Sequence, residues 1–534
     1  MQQISFQGVG FNSTEWYNSA MDLAVDLDRR KPDPELAAWL TAQLAERDAE
    51  LERRTNELKN AELKIQALTL ELAHHKRIRF WSKSEALTAE QRELFQESWS
   101  ADLAAIEAEV EQKTKPAPAK RPRAGRQPLP AHLPRIEHRH EPESCTCGKC
   151  GKDLVKIGED ISEQLDVEPA RFTVHRHIRP QYACRACETV TAAPIPPAVI
   201  DGGVASPGLL TWVMISKFMD HLPLYRIEQI AERQGVPLPR SNQAEWVGAV
   251  GVWLQPLADR LSQMLRQRPV LHADETPVPQ LDPGRGKTKR AYLWAYRSNN
   301  LDTGPPIIVF DYQPGRSGEH AHNFLRHWRG SLMVDDYVGY KSLFTNGIIE
   351  LACLVHCRRK FHELHIANGN PIAAEALHRF AELYLIEDQG RPLDVVKRQQ
   401  LRAEQSKPRL EALHEWLIKS RMAVAEGSAI AKAIDYTLRR WTAVMRYADS
   451  GSLPIDNNPV ENIIRPICLG KKNWLFAGSE RAGKRAAAIQ SLLGTAKLNG
   501  LEPYAWLKDT LEKLPAWPNR RIDELLPLRI NHVS

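Results

Sequence analysis

Two cysteine pairs, Cys147-Gly-Lys-Cys150 and Cys184-Arg-Ala-Cys187, lie close together, and five of the chain's eight cysteines fall between Cys145 and Cys187. Each pair has the spacing of a tight turn that presents two sulfurs to one metal, and four thiolates together satisfy tetrahedral Zn(II). A redox dithiol pair is the rival reading, and Cys145, two residues before the first pair, leaves the ligand set open by one. With every position filled by protein, such a zinc is structural and stiffens a module too poor in core to fold without it.

A second chemistry is carried by carboxylates. Asp274 closes the apolar run PVLHAD and Asp335 closes SLMVD. Each run reads as a strand that delivers its acid to the carboxyl edge of a sheet, where open α/β sheets place their sites. Acids converging there suit hard ions such as Mg(II) or Mn(II), the common requirement of phosphoryl transfer. With 66 acidic residues in the chain, spacing alone does not single these out. Glu461 is the third candidate. Asn458 can cap a helix opened by Pro459, which puts Glu461 at the third helical position, where a capping-box glutamate is the structural alternative. Lys471, Lys472 and Trp474 follow closely and fit a site that grips an anionic strand.

The elements that must hold these residues make a multidomain α+β chain. Its 534 residues allow roughly three to five domains. The net charge of +6 is too mild to name a polyanionic partner, so the distribution of charge has to. In residues 1–112, Leu44, Leu51, Leu58, Ile65 and Leu72 recur every seven residues and predict a long helix, either a self-associating coiled coil or a helix packed on its own protein. Lys76, Arg77, Arg79 and Lys83 surround Phe80 and Trp81 just beyond. Residues 113–140 read as a basic, Pro-rich linker in which Arg121, Arg123 and Arg126 can follow a phosphate backbone or a narrow minor groove. The zinc-ribbon-like module occupies 141–192, with a β-ribbon through RFTVHRHI. Residues 193–267 read as a helical DNA-binding segment with a helix-turn-helix outline.

From 268 to 357 the texture changes to strands over PVLHAD, AYLWAYRS, PIIVFDY, SLMVD and IELACLVH, with a helix over EHAHNFLRHW before the fourth. Three strands followed by alternating helix and strand describe a ribonuclease-H-like α/β core. Residues 358–450 read as an α-helical insertion, and 451–534 complete the core with Glu461 and C-terminal helices. The apolar stretches fall short of the roughly 20 residues that span a bilayer, and the N-terminus lacks a basic-then-apolar signal. A cytoplasmic protein without membrane contact is expected.

Taken in order, these motifs resemble the large transposase of the insertion sequence 66 family, a bacterial mobile-element enzyme. The resemblance covers nearly the whole chain. It rests on KIQALTLELAH with RIRFWSKSE, the cysteine module continuing GEDISEQLDVEPARFTVHRHIRPQYAC, HLPLYR, LHADETPVPQLDPGRGKTK, HCRRKF, IDNNPVENIIRPICLGKKNWLFAGSE, SLLGTAKLNG and AWL. It implies a DDE transposase whose acids are Asp274, Asp335 and Glu461, holding Mg(II) or Mn(II), with a helical insertion before the last. His356, Arg358 and Arg359 of HCRRKF become phosphate clamps, and Lys471 and Lys472 further strand contacts. Asp336 stands where the family usually has glycine, an adjacent carboxylate able to compete for metal. The implied partners are element ends and target DNA, further copies of the chain, and small accessory proteins of the same element. A structure-selective nuclease that cuts without joining, and a non-catalytic zinc-containing DNA-binding regulator, are the competing functions.

Overall fold

The computed structural model describes residues 129–529, apart from 132, 142–144, 148, 169–170, 195 and 283–286, and parts of a helix between 42 and 61. Two compact units divide the chain, Met1–Leu68 and Thr69–Ser534. In the first, the described residues are helical and solvent-facing, Leu51 among them. Leu44, Leu58, Ile65 and Leu72, the basic run at 76–83, and Arg121, Arg123 and Arg126 lie outside the described residues.

The second unit opens with a sheet of β1 (Arg135–Arg139), β2 (Val155–Glu168), β3 (Arg171–Ala183) and β4 (Val190–Ala192), in the order β1-β3-β2 with β4 also against β3. β2 and β3 form the antiparallel ribbon that the alternation of RFTVHRHI predicts. β1 falls inside the stretch assigned from composition to the linker 113–140, and that assignment is corrected. His138 of β1 and His140 just after it alternate like His175 and His177 of β3, and the two pairs meet at 2.9 and 3.0 Å. Cross-strand pairing decides what composition could not.

Three helices follow, α1 (Pro207–Phe218), α2 (Leu224–Glu232) and α3 (Arg240–Leu265). Ser206 caps α1 by accepting the Leu209 amide, with Pro207 at the first helical position. α2 and α3 have the helix-turn-helix outline, but α3 buries residues from Gln243 to Leu265 in the main core beside Leu271, Trp294 and Ile489. A helix buried to that extent braces the sheet, so residues 193–267 fold as part of the same core and not as a domain of their own.

The second sheet has the order β7-β6-β5-β8-β9, from β5 (Val270–Asp282), β6 (Lys287–Ser298), β7 (Ile308–Gln313), β8 (Ser331–Val334) and β9 (Ile349–Ala352). β5, β6 and β7 are an antiparallel meander, while β5, β8 and β9 are parallel. The helix α4 (Gly318–Phe324) crosses between β7 and β8. One face of the sheet, with Leu271, Ala273, Leu332 and Val334, packs into the main core against α3.

After β9 come α5 (Leu354–Asn368), α6 (Pro371–Gly390), α7 (Lys407–Met422) and α8 (Ala429–Arg439), which share a separate core around Phe361, Phe380, Leu413 and Ile434. The insertion therefore begins at Leu354, and the end of IELACLVH, expected as strand, is the cap and first turn of α5. Arg440 ties the insertion to the sheet through Glu350 at 2.9 Å and the Val334 carbonyl at 3.2 Å. The chain closes with α9 (Asn458–Trp474), α10 (Glu480–Leu498) and α11 (Pro503–Lys513). α9 packs Val460, Ile464 and Ile467 on the sheet's other face, against Val278, Leu293 and Phe310. α10 covers the edge strand β7, where the hydroxyls of Ser491 and Thr495 accept the amides of Phe310 and Ile308. Those two edge amides are thereby satisfied without another strand. No helix among the described residues is long and apolar enough to cross a membrane.

Candidate active site

β5 does not end at Asp274, as the apolar run suggests, but continues to Asp282 because β6 pairs with it throughout, from Leu271↔Ser298 to Asp282↔Lys287. What ends is the parallel ladder with β8, whose last pair is His272↔Met333. Asp274 and Asp335 both stand two residues past that pair, on the same face of neighbouring strands. The Asp274 Oδ1 accepts the Glu275 amide and the Asp335 Oδ1 accepts the Tyr337 amide, each at 2.9 Å, so one oxygen of each carboxylate is pinned.

Glu461 comes from α9. The N-cap is Asn457, one residue earlier than expected, while Asp456 takes the backbone and side-chain N–H groups of Asn458 at 3.0 Å. Glu461 is then the fourth helical residue and no capping-box glutamate. Its carboxylate reaches Arg359 Nη2 at 3.3 Å and faces His356 Nδ1 at 3.7 Å, both on α5. Neither Glu461 Oε1 nor His356 Nδ1 has a hydrogen-bond partner, although both atoms are buried.

Asn457 joins three elements. Its Nδ2 donates to the Ala273 carbonyl at 2.9 Å, and its Oδ1 lies 3.0 Å from His272 Nδ1. Its backbone amide donates to Cys353 Sγ at 3.2 Å. With the amide nitrogen engaged on Ala273, the oxygen must accept, so a neutral His272 carries its proton on Nδ1. Burial, with Arg297 nearby, pushes the His272 pKa down to about 4, which keeps it neutral. The strand of Asp274 and the helix of Glu461 are thus fixed through one side chain.

Burial pushes the Asp274 carboxyl well above its usual range, and Glu275, Asp335 and Glu461 push it further. Glu275 points to the other face of the sheet, where Arg316 at 2.5 Å and the Tyr340 hydroxyl at 2.8 Å satisfy it. Three acids remain on the active face with Arg359 as their near cation. Crowded carboxylates with an unsatisfied oxygen, all oxygen donors, fit a hard divalent cation. Cys353, His356 and Glu461 also come within 4.8 Å of one another, a softer donor set on the same flank.

Asp336 turns to Lys341 at 3.1 Å and Arg440 at 3.9 Å, which engages the carboxylate that could have competed with Asp335. Arg358 is half-buried on α5. Lys471 donates to the Pro277 carbonyl at 3.1 Å, and Lys472 is exposed on the last turn of α9. Asn457, Glu275 and Arg316 were not singled out from the sequence, although Asn457 and Glu275 lie inside quoted motifs. Their signal was adjacency to Asn458 and Asp274, and nothing local tells a buckle from a cap.

In the cysteine module the sulfurs of Cys147, Cys150, Cys184 and Cys187 all lie within 4.8 Å of one another. Cys147 and Cys187 are 3.3 Å apart, Cys150 and Cys184 3.3 Å, and Cys150 and Cys187 3.8 Å. Tetrahedral zinc with bonds of about 2.3 Å sets its sulfurs about 3.8 Å apart, so the four fit one ion closely. Cys145 is outside the group and exposed, which removes the ambiguity in the ligand set.

Four family descriptions match the chain. "Transposase IS66 family" covers residues 202–485 and "zinc-finger binding domain of transposase IS66" covers 144–188. "IS66 C-terminal element" covers 491–528, and "Transposase C of IS166 homeodomain" covers 67–137. Two Sinorhizobium fredii proteins are similar over most of their lengths. "Uncharacterized protein y4qI" is 38% identical over 91% of this chain and 93% of its own. "Uncharacterized protein y4jD" is 40% identical over 75% of this chain and 81% of its own.

Proposed function

The chain belongs to the IS66 transposase family, and from that premise we propose that it cuts the ends of an insertion element and joins the freed 3′-hydroxyls to target DNA at Asp274, Asp335 and Glu461. The carrying observation is that two strands and a helix, from parts of the chain far apart in sequence, bring three acids to one face. The strand order β7-β6-β5-β8-β9, with only β6 running against the rest, supports reading the sheet as a ribonuclease-H-like core.

In the first step water attacks the phosphodiester at the element's end, and the bond from phosphorus to the 3′ oxygen breaks. In the second that 3′-hydroxyl attacks a target phosphodiester, one P–O bond forming as another breaks, so no nucleoside triphosphate is consumed. Divalent Mg(II) or Mn(II), held by the three carboxylates, supplies activation of the attacking oxygen and charge neutralisation at the leaving oxygen. The chain's own residues do the rest. Asn457 fixes α9 against β5, the Glu275–Arg316 pair removes one acid from the crowd, and Arg359 and Arg358 hold the phosphate on the α5 side. Lys471 and Lys472, with Arg121, Arg123 and Arg126 of the linker, extend the contact along the strand.

Zinc keeps the cysteine module folded. The N-terminal heptads are the segment proposed to bring copies of the chain to paired ends, with accessory proteins of the element as further partners and the cytoplasm as the place of action.

Strand transfer by the purified chain on a labelled element end with Mg(II) tests the reading. Asp274→Asn is expected to lower joined product by roughly 10³-fold or more with DNA binding retained. Full activity in that variant would remove the assignment, and cut but never joined DNA from the wild type would favour a nuclease.

A further inference from the structure

Past Asp274, β5 keeps β6 on one side but has no strand on the side that β8 occupied, and what closes that edge encloses a cavity. Pro277 and Pro279 face the open edge, where a missing N–H is no loss. Their carbonyls accept Lys471 Nζ at 3.1 Å and the Ala477 amide at 2.8 Å. To reach that position the chain leaves α9 through a γ-turn. The Phe476 amide donates to the Trp474 carbonyl at 2.7 Å, and Leu475 between them has φ 61° and ψ −51°. This hand of turn is rare and strained for a residue with a side chain, and such strain persists only where both flanks fix it. Here α9 holds one flank, and the pairing of Ala477 with β5 holds the other.

Trp474 and Phe476, on either side of the turn, line the cavity with Tyr312, Val278, Leu293 and Ala482. Its volume is about 100 Å³, well below the ~300–1,000 Å³ of cofactor and drug-sized pockets. The size suits a single ring system. The side chain of Gln490 offers a polar edge within the lining. Gly483 lets α10 press on Tyr312, since a Cβ there would lie 2.4 Å from the phenol ring. Residues 471–485 carry five basic side chains against Glu480 alone, and Lys217 joins the lining. An aromatic, ring-sized interior within a cationic surround matches a nucleotide whose base enters and whose phosphates stay outside.

Val278 lies four residues past Asp274 on the same face of β5, about 13 Å along the strand. At about 3.4 Å per stacked nucleotide, that is about four nucleotides. We propose that this cavity receives one unstacked nucleobase of the element's DNA, within about four nucleotides of the cut phosphate, with Trp474 and Phe476 as its stacking surfaces. The assignment rests on the transposase reading above.

The probe is the element-end duplex, taken from the DNA flanking the reading frame, with the base opposite one position removed and that position walked through about four nucleotides on each side of the cut. Binding to the full chain is measured by fluorescence anisotropy at fixed salt. Where a base enters the cavity, removing its pairing partner is expected to tighten binding about tenfold, because no pair must then be opened. Trp474→Ala and Ala482→Leu, the second filling the cavity, are each expected to abolish that gain. Normal binding of the paired duplex with no position of tighter binding, or a gain that survives in both variants, would overturn the cavity assignment alone. Failure of the wild type to bind the paired end would overturn the transposase reading with it.

Discussion

The cysteine module and the acid cluster both gather side chains of a kind that seek a metal, and they do so by opposite routes. In the module, two pairs two residues apart supply all four sulfurs, and the small core beneath them consists of Cys147, Leu154 and Cys184 with Tyr182 against it. At that end of the ribbon the ligands are themselves the core, so the ion and the local fold are one equilibrium, while Leu165, Val167, Phe172 and Val174 at the other end pack into the main core. Asp274 and Asp335 sit on a five-stranded sheet and Glu461 on α9, all in elements packed together with α3 and α10. Their scaffold is packed by apolar side chains, and a bound cation would offset only their mutual repulsion. A metal removed from the first region should cost structure, and from the second, chemistry.

The largest expected effect tests that contrast at the acids. Glu461→Gln and Asp335→Asn should each lower strand transfer by roughly 10³-fold or more while the thermal transition of the main unit is kept. A variant that instead unfolds the chain would make the acids structural and erase the difference. Next, stripping zinc with a chelator, or Cys147→Ser with Cys184→Ser, should weaken binding to the element end by roughly 10²-fold and increase proteolysis at the zinc end of the module, around Cys147–Leu154 and Tyr182–Cys187. The main transition by circular dichroism should stay in place, and its collapse would show that the two regions fold as one.

Asn457→Ala probes the buckle. It leaves His272 Nδ1 and the Ala273 carbonyl buried without partners, a cost of about 1–3 kcal/mol readable in urea melts. The turnover of strand transfer should fall more than end affinity, because Glu461 loses its registration with Asp274; equal losses in both would point to stability alone.

The smallest effect is a pH dependence of stability. Asp274 holds its proton well above the usual carboxylate range in the folded chain, against about 3.9 when unfolded. The folded state binds more protons over that interval, so stability of the metal-free chain falls as pH rises from about 4 through the raised value. At neutral pH, Asp274→Asn should then raise the metal-free Tm. Mg(II) should raise the wild-type Tm and do less for the variant. His272 has the opposite sign: its folded pKa of about 4 lies below the unfolded value of about 6.5, so its contribution is present above about pH 6.5 and lost as pH falls towards about 4. Melts that show no Mg(II) effect in the wild type would break the contrast with the zinc module.

Much of this was legible beforehand because it is local. The β-ribbon of RFTVHRHI, the strands over AYLWAYRS and PIIVFDY, and the helices at either end of the insertion follow from alternation, apolar period and punctuation. The misreadings share one cause. β1 reads as linker and residues 193–267 read as a segment of their own, because partners distant in sequence decide each. Leu129 onwards is Pro-rich until a strand 39 residues away pairs with it, as Arg135↔Val174 records.

The sequence by itself determined the zinc ligands but for the choice left by Cys145, since a two-residue spacing prescribes a turn and a turn prescribes where both sulfurs point. It also determined which acids end apolar runs. Only the tertiary structure decided that Asp274 and Asp335 lie on one face, that Asp336 turns away to Lys341 and Arg440, and that Asn457 sets Glu461 opposite them. The reason is that spacing along a chain encodes local geometry, whereas the meeting of distant carboxylates depends on strand register and on which side chain is buried to lock it.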